Sequence, residues 1–239
     1  PGLVASYIAP RLLSQAISAI PGGVVLVSGS AGKSSTTNMI VKLLEAHGKR
    51  VFTNPSTANI KQGLFSAVLK EGDLRGRIDY DLAVLEVDEG HGSALLGDLA
   101  PRLVVLTNVL SDQLDRFVDP ELVIEKLERM ARGAGQAVLN AHDPNLRAMK
   151  LHNVAGSVTL TPELQSSSDA PKYALRFDNP PEIASSFEIA GDNGLVLRAS
   201  NNVFRLHDSN LPHAINTTLA LVAALNLIEL DSKVAQDVI

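Results

Sequence analysis

A short loop of small residues carries the strongest chemical signal in the chain. The apolar run Val24–Val27 leads into Ser28-Gly29-Ser30-Ala31-Gly32-Lys33-Ser34, and a helical pattern follows. At such a junction the backbone amides and the helix N-terminus can hold phosphate, while the lysine reaches the β- and γ-phosphate oxygens and the serine binds Mg²⁺. The candidate nucleotide-binding residues here are Gly29, Ser30, Ala31, Gly32, Lys33, Ser34 and Ser35. The loop is shortened, because the usual spacing would require a glycine at Val27. A purely structural turn is the alternative.

Acidic residues follow a second apolar run. Glu86 ends this run, and Asp88 and Glu89 lie close behind it. A carboxylate in this position can face a Mg²⁺ ion that Ser34 also binds. We therefore predict that Ser34 and Glu86 are metal ligands and that Glu86 is a catalytic residue together with Lys33. The alternative is that Glu86 caps a neighbouring helix.

Three polar residues further along the chain are candidates for recognising the rest of a nucleotide. Asn140 and Asp143 suit contacts with a base and a ribose, although Asp143 before Pro144 is equally typical of a helix cap. Asn216 interrupts an otherwise apolar helix start, where an unpaired amide would be costly to bury. This favours a specific partner for Asn216, such as the edge of an adenine.

Composition and charge exclude several classes of function. The 239 residues are 45% hydrophobic and 4% aromatic, which fits a parallel sheet between helices. A net charge of −5 without a cluster of Lys and Arg argues against nucleic acid as a partner. There is no cysteine, which excludes disulfides and thiolate zinc sites. No apolar run approaches the ~20 residues that span a bilayer, so we predict no transmembrane segment. The expected location is the cytoplasm, with the inner face of the membrane as an alternative.

The order of the predicted elements indicates the fold. Strands and helices alternate from the loop to about residue 140, which predicts parallel strands joined by right-handed crossovers. After about residue 154, short segments with a turn at Asp192-Asn193-Gly194 are typical of antiparallel hairpins. Residues 3–20 predict one kinked helix or two short ones, and residues 211–230 predict a buried last helix. We therefore predict an α/β fold of the P-loop NTPase type. It has a mostly parallel sheet, flanking helices and a small antiparallel β region in the second half.

Several motifs together resemble the central ATP-binding domain of the Mur ligase family. The shortened loop is similar to the one that opens that domain, and Glu86 falls where the family keeps a metal-binding glutamate. Residues 107–116, 140–144 and 213–216 resemble three further family motifs in the same order. The resemblance implies an ATP-dependent ligase that activates a carboxylate through an acyl phosphate, with ATP and Mg²⁺ as cofactors. Gln113 stands where most relatives have a metal-binding histidine, which makes Gln113 a third, weaker candidate metal ligand.

Within the family, three details resemble the MurT-type subunits of lipid II isoglutaminyl synthases. They are Gln113, the Glu86-x-Asp88-Glu89 sequence, and the pairs Thr53-Asn54 and Ala58-Asn59 ahead of an apolar helix. The resemblance implies amidation of the D-glutamate of lipid II, a lipid-linked peptidoglycan precursor, during cell-wall synthesis. It also implies a partner that supplies ammonia, a glutamine amidotransferase subunit of the GatD type.

The resemblance also suggests how the chain is divided. Residues 1–22 are expected to form an N-terminal helical segment, and residues 23–239 the central ATP-binding domain with an antiparallel subregion at about residues 154–210. The family's C-terminal domain is expected to be absent, so that the chain binds nucleotide but does not turn it over alone. Two alternatives stay open. One is an amino-acid-adding ligase of the Mur or folylpolyglutamate type, which favours histidine at position 113. The other is a nucleotide-binding scaffold subunit without catalysis.

Overall fold

Alternating strands and helices build the part of the chain that the computed structural model describes: residues 1–73, 76–110, 120–167, 186–191, 195–199, 202–206 and 210–239. The strands are β1 (Val24–Ser28), β2 (Val51–Thr53), β3 (Leu82–Glu86), β4 (Leu103–Leu106), β5 (Gln136–Asn140), β6 (Val154–Leu160), β7 (Ser186–Gly191), β8 (Leu195–Ala199) and β9 (Asn202–Leu206). The helices are α1 (Gly2–Ile8), α2 (Leu12–Ser18), α3 (Lys33–Ala46), α4 (Lys61–Glu71), α5 (Glu89–Gly92), α6 (Leu96–Leu99), α7 (Pro120–Arg132), α8 (Pro144–Arg147), α9 (Pro162–Ser167), α10 (Leu211–Leu227) and α11 (Ser232–Val238).

The strands of the described residues form one sheet of nine strands in the order β2-β3-β1-β4-β5-β6-β7-β8-β9. Pairing is parallel from β2 to β7 and antiparallel from β7 to β9. This confirms the predicted fold class. The central strands are apolar along their whole length because helices cover both faces of the sheet.

The antiparallel pairing begins at β7, later than the expected position near residue 154. β6 pairs with β5 in parallel, and it contains Gly156 and Ser157 in place of a continuous apolar run. A side chain at Gly156 would lie 2.5 Å from Cγ1 of Val222, so the small residue lets α10 pack closely against the sheet. Small residues that allow close packing interrupt the apolar pattern by which a strand is predicted from its sequence. The predicted turn at residues 192–194 lies outside the described residues.

Two apolar layers cover the faces of the sheet. Along β1, Val24 and Leu26 point into the layer formed with α2, α4 and α7, and Val25 and Val27 into the layer formed with α3 and α10. This alternation follows from the two-residue period of a strand. The described helices include none that is long and apolar enough to cross a membrane.

The two ends of the chain pack as helices against these layers. The opening segment forms the two short helices α1 and α2, which was one of the two expected arrangements, and α2 buries Leu13 and Ile17 in the core. The last long helix ends at Leu227, three residues before the predicted end, and α11 follows it. Gln236 of α11 hydrogen-bonds both backbone groups of Arg205 at the edge strand β9.

Candidate functional site

The loop between β1 and α3 turns through two glycines in left-handed conformations. Gly29 has φ 130° and Gly32 has φ 81°, angles that side-chain-bearing residues rarely adopt. Space is restricted as well, because a Cβ on Gly32 would lie 2.5 Å from Oδ1 of Asn216. Both glycines of the shortened motif are therefore required by geometry.

The segment after β4 holds this loop from one side. The Asn108 carbonyl accepts a hydrogen bond from the Ser30 N–H (2.9 Å), and its side-chain oxygen accepts one from the Ala31 N–H (2.8 Å). Thr107 Oγ1 donates to the Ala31 carbonyl at 2.7 Å. The Ser30 hydroxyl in turn accepts from the Leu110 N–H at 3.0 Å. The first half of the loop is thus fastened to the sheet and its amides are already used.

The second half of the loop is the N-terminus of α3, a helix of 14 residues that no side chain caps. The first amides of a helix have no partner within the helix and carry a partial positive charge. Gly32, Lys33, Ser34 and Ser35 contribute these amides. An anionic group fits this position, so the observed backbone suits the phosphates of ATP.

Lys33 uses all three of its donors within the protein. Its ammonium group hydrogen-bonds the carbonyl oxygens of Gly29 and Ser30, and it forms an ion pair with Glu89 Oε1 at 3.0 Å. Glu89 is completely buried. Sequence reasoning did not assign a role to Glu89. Glu89 follows Glu86 and Asp88 in the acidic run after β3, and this position is the sequence signal that could have identified it.

Ser34 and Glu86 lie side by side at the carboxyl ends of the adjacent strands β1 and β3. The Ser34 hydroxyl donates to Glu86 Oε2 at 2.7 Å, although 52 residues separate them in sequence. Glu86 is 4% exposed. The Asn54 amide fixes its backbone, accepting from the Glu86 N–H (2.9 Å) and donating to the Glu86 carbonyl (3.0 Å). Two adjacent oxygens of this kind suit Mg²⁺.

A cleft of about 450 Å³ opens beside this pair. Its lining includes Ser34 and Asn38 of α3, Asn54 after β2, and Ser66 and Lys70 of α4. The walls carry hydroxyl, amide and ammonium groups. The cleft therefore leaves room for a polar molecule next to the predicted metal position.

Asn140 and Asp143 follow β5 at the same edge of the sheet. The Asn140 amide donates to the Thr107 carbonyl at 2.8 Å, and Asp143 accepts from the Val109 N–H at 2.7 Å and from two amides at the start of α8. Burial raises the pKa of the Asp143 carboxyl, although the backbone donors oppose this shift. The side chains thus hold the segment after β4 in place. Their assignment to base and ribose contacts stays a prediction.

Asn216 approaches the loop from the other side, on α10. Its side-chain oxygen and nitrogen lie 2.5 Å and 2.7 Å from the position that a Cβ of Gly32 would occupy, at the end of the loop that leads into α3. The structure therefore brings Gly29, Gly32, Lys33, Ser34, Glu86 and Asn216 together around one loop. Gln113, the third predicted metal ligand, lies outside the described residues.

Known proteins resemble the chain in sequence and in fold. Residues 27–176 match the family described as Mur ligase middle domain. The chain belongs to the Mur ligase family. Over 129 residues it is 31% identical to the MurT subunit of the glutamine-hydrolysing lipid II isoglutaminyl synthase of Staphylococcus aureus (strain COL), an alignment that covers 54% of this chain and 29% of that protein. It is also 31% identical over 219 residues to the UDP-N-acetylmuramate–L-alanine ligase of Paenarthrobacter aurescens, covering 90% of this chain and 43% of that one.

A solved Mur ligase has the same fold. The MurF ligase of Thermotoga maritima, determined in complex with ADP, superposes with a TM-score of 0.62 at 18% identity, covering 96% of this chain and 52% of that one. The chain spans less than half the length of the two curated relatives it was compared with. The family and the fold are therefore shown, and the match to the family's middle domain covers residues 27–176.

Proposed function

We propose that the chain is the nucleotide-binding unit of an ATP-dependent ligase that activates a substrate carboxylate as an acyl phosphate. The observation that carries the proposal is the contact of 2.7 Å between Ser34 and Glu86 beside the uncapped N-terminus of α3. A helix N-terminus suited to phosphate and two oxygens suited to Mg²⁺ thus lie next to each other. Phosphoryl transfer requires this combination.

Each group at the loop has a role in this reaction. The α3 amides and Lys33 bind the phosphates and compensate the negative charge that develops during transfer. Ser34 and Glu86 would hold Mg²⁺, which neutralises charge on the phosphate oxygens. Glu86 is held in place by Asn54, and the loop by Asn108, so the chain positions these groups before substrate arrives. The cleft beside Ser34 leaves room for the carboxylate substrate.

For the acceptor and the partner, we propose amidation of the D-glutamate of lipid II with ammonia from a glutamine amidotransferase subunit. The similarity to the staphylococcal MurT subunit and the Glu86-x-Asp88-Glu89 sequence support this proposal. The similarity to an alanine-adding ligase over 90% of the chain favours an amino-acid-adding ligase as the second candidate. A cytoplasmic location stays a prediction under either proposal.

ATP binding is tested by titration calorimetry of the full-length protein with Mg-ATP. We expect Lys33→Ala to weaken binding at least about tenfold, because the β- and γ-phosphates lose a charged donor. Lys42→Ala, at an exposed lysine of the same helix, is the matched control and should bind as the wild type does. Equal affinities of Lys33→Ala and wild type would refute the phosphate site.

The metal role is tested with Glu86→Gln, which keeps the side-chain size and removes the charge. We expect ATP-dependent turnover to require a much higher Mg²⁺ concentration, while the midpoint of thermal unfolding changes little. Glu45→Gln at an exposed position of α3 is the control. Unchanged Mg²⁺ dependence would show that the metal is held elsewhere.

The reaction type is tested with the full-length protein and its amidotransferase, lipid II and ATP. Mass spectrometry of the product distinguishes amidation, which replaces a hydroxyl by an amino group, from addition of an amino acid. Nucleotide binding without any ATP-dependent product would support the scaffold alternative.

A further inference from the structure

The ion pair between Lys33 and Glu89 lies directly at the phosphate loop. The Glu89 side chain is fully buried, whereas the Lys33 side chain is 14% exposed. Glu89 Oε1 receives the ammonium group, and Glu89 Oε2 is buried without a hydrogen-bond partner among the described residues. Lys33 is therefore the group that compensates the Glu89 charge in this part of the chain.

Phosphate can bind Lys33 only if the ammonium group gives up a present contact, since an ammonium group has three donors and all three are used. Two contacts are with the neutral carbonyls of Gly29 and Ser30, and the third is with Glu89. Removing the partner of a buried charge costs more than removing one hydrogen bond from a neutral carbonyl. The contacts with the carbonyls are therefore the ones that phosphate displaces.

The backbone around Glu89 fixes this carboxylate. Glu89 is the first residue of α5, and the preceding Asp88 caps that helix by accepting from the Gly90 N–H at 2.9 Å. The Asp88 N–H is bonded in turn to the Asn59 carbonyl at 3.0 Å. The backbone at Glu89 is thus anchored by contacts that do not involve the phosphate loop.

We propose that Glu89 is the positioning residue of Lys33, which stays paired with Glu89 while nucleotide replaces the loop carbonyls. The proposal rests on the proposed function, since it concerns the same phosphate site. The pairing of Lys33 with Glu89 lowers the affinity for ATP and raises the rate of phosphoryl transfer. The Glu89 charge weakens the attraction between Lys33 and phosphate in the bound state, and its fixed position keeps the ammonium group where charge develops during transfer.

The test uses the full-length protein and two variants of Glu89. Glu89→Gln keeps an oxygen acceptor and removes the charge, and we expect it to bind ATP about threefold or more tightly than wild type. Its kcat should fall about tenfold or more, since the ammonium group is no longer held by a charge. AMP, which lacks the phosphates that Lys33 reaches, should bind the variant and wild type alike. Glu89→Asp keeps the charge on a shorter side chain, so its kcat should fall without a gain in ATP affinity.

The outcomes separate this proposal from the proposed function. If wild type binds no ATP, the proposed function fails. If wild type binds ATP but Glu89→Gln matches it in both affinity and kcat, Glu89 does not position Lys33. If both variants lose ATP affinity and unfold at a lower temperature, Glu89 only supports the fold. If the pattern of tighter binding with slower turnover is seen in Glu89→Gln and not in Glu89→Asp, the proposal holds.

Discussion

Replacing Gly32 by Ala should both strain the loop backbone and crowd the Asn216 side chain. Gly32 has φ 81°, and in the left-handed region a side chain costs roughly 1–2 kcal/mol. The new methyl group would also lie 2.5 Å from Oδ1 and 2.7 Å from Nδ2 of Asn216, so the Asn216 side chain, the loop or α10 must shift. Overpacking of this kind adds about 1–3 kcal/mol. We expect a total loss of about 2–5 kcal/mol in the free energy of unfolding.

Gly48→Ala is a matched control for this prediction. Gly48 has a similar φ of 75°, but a Cβ there would meet no atom within 4 Å. It should therefore show the conformational cost of roughly 1–2 kcal/mol alone. Urea unfolding gives the free energies, and titration with Mg-ATP gives the affinity, which should fall about tenfold or more in Gly32→Ala only.

A double-mutant cycle isolates the contact between the loop and α10. In the background of Asn216→Ala, which removes the amide group, the stability cost of Gly32→Ala should shrink to that of Gly48→Ala. Equal effects of the two glycine substitutions on stability and on ATP affinity would refute the reasoning. An undiminished cost of Gly32→Ala in the Asn216→Ala background would also do so.

Two further predictions concern the segments that hold the loop. Asn108→Ala frees the Ala31 peptide, so we expect ATP affinity to fall about fivefold in calorimetry, with about 1 kcal/mol lost in stability; unchanged affinity would contradict it. Asp143→Asn places an amide nitrogen against a backbone N–H and should cost about 1–3 kcal/mol in urea unfolding. Because burial raises the pKa of Asp143 above 3.8, the stability of the wild type relative to the variant should be greatest below that pH. It should decrease as the pH rises through the folded-state pKa, and a difference that grows with pH would contradict the assignment.

The central part of the fold could be predicted because its periodicity is strong. β1 and β3 are continuous apolar runs, and they lie where the sequence analysis places such runs, before the loop and before Glu86. β6 was not recognised as a parallel strand because Gly156 and Ser157 weaken its pattern, and the reason for these small residues is the distant helix α10. A sequence window of one strand does not contain that information.

The site could be predicted as far as it depends on motifs. The loop and Glu86 were identified from residue types and their order, and the structure brings Ser34 and Glu86 into contact. Asn108 and Glu89 could not be assigned, because their roles depend on distances between segments that lie 56 to 77 residues apart in sequence. Such contacts follow from the strand order, which sequence reasoning left open.

Three asparagines at this edge of the sheet have different roles, and their partners distinguish them. Asn54 and Asn140 bond backbone groups, so their amides are explained by the fold alone. Within the part of the chain that the structure describes, no hydrogen bond to the Asn216 side chain is found, and this amide lies against Gly32. This amide is partly exposed, so water or another molecule can supply its hydrogen bonds. Of these three asparagines, Asn216 is therefore the one whose amide stays available for the predicted contact with a nucleotide.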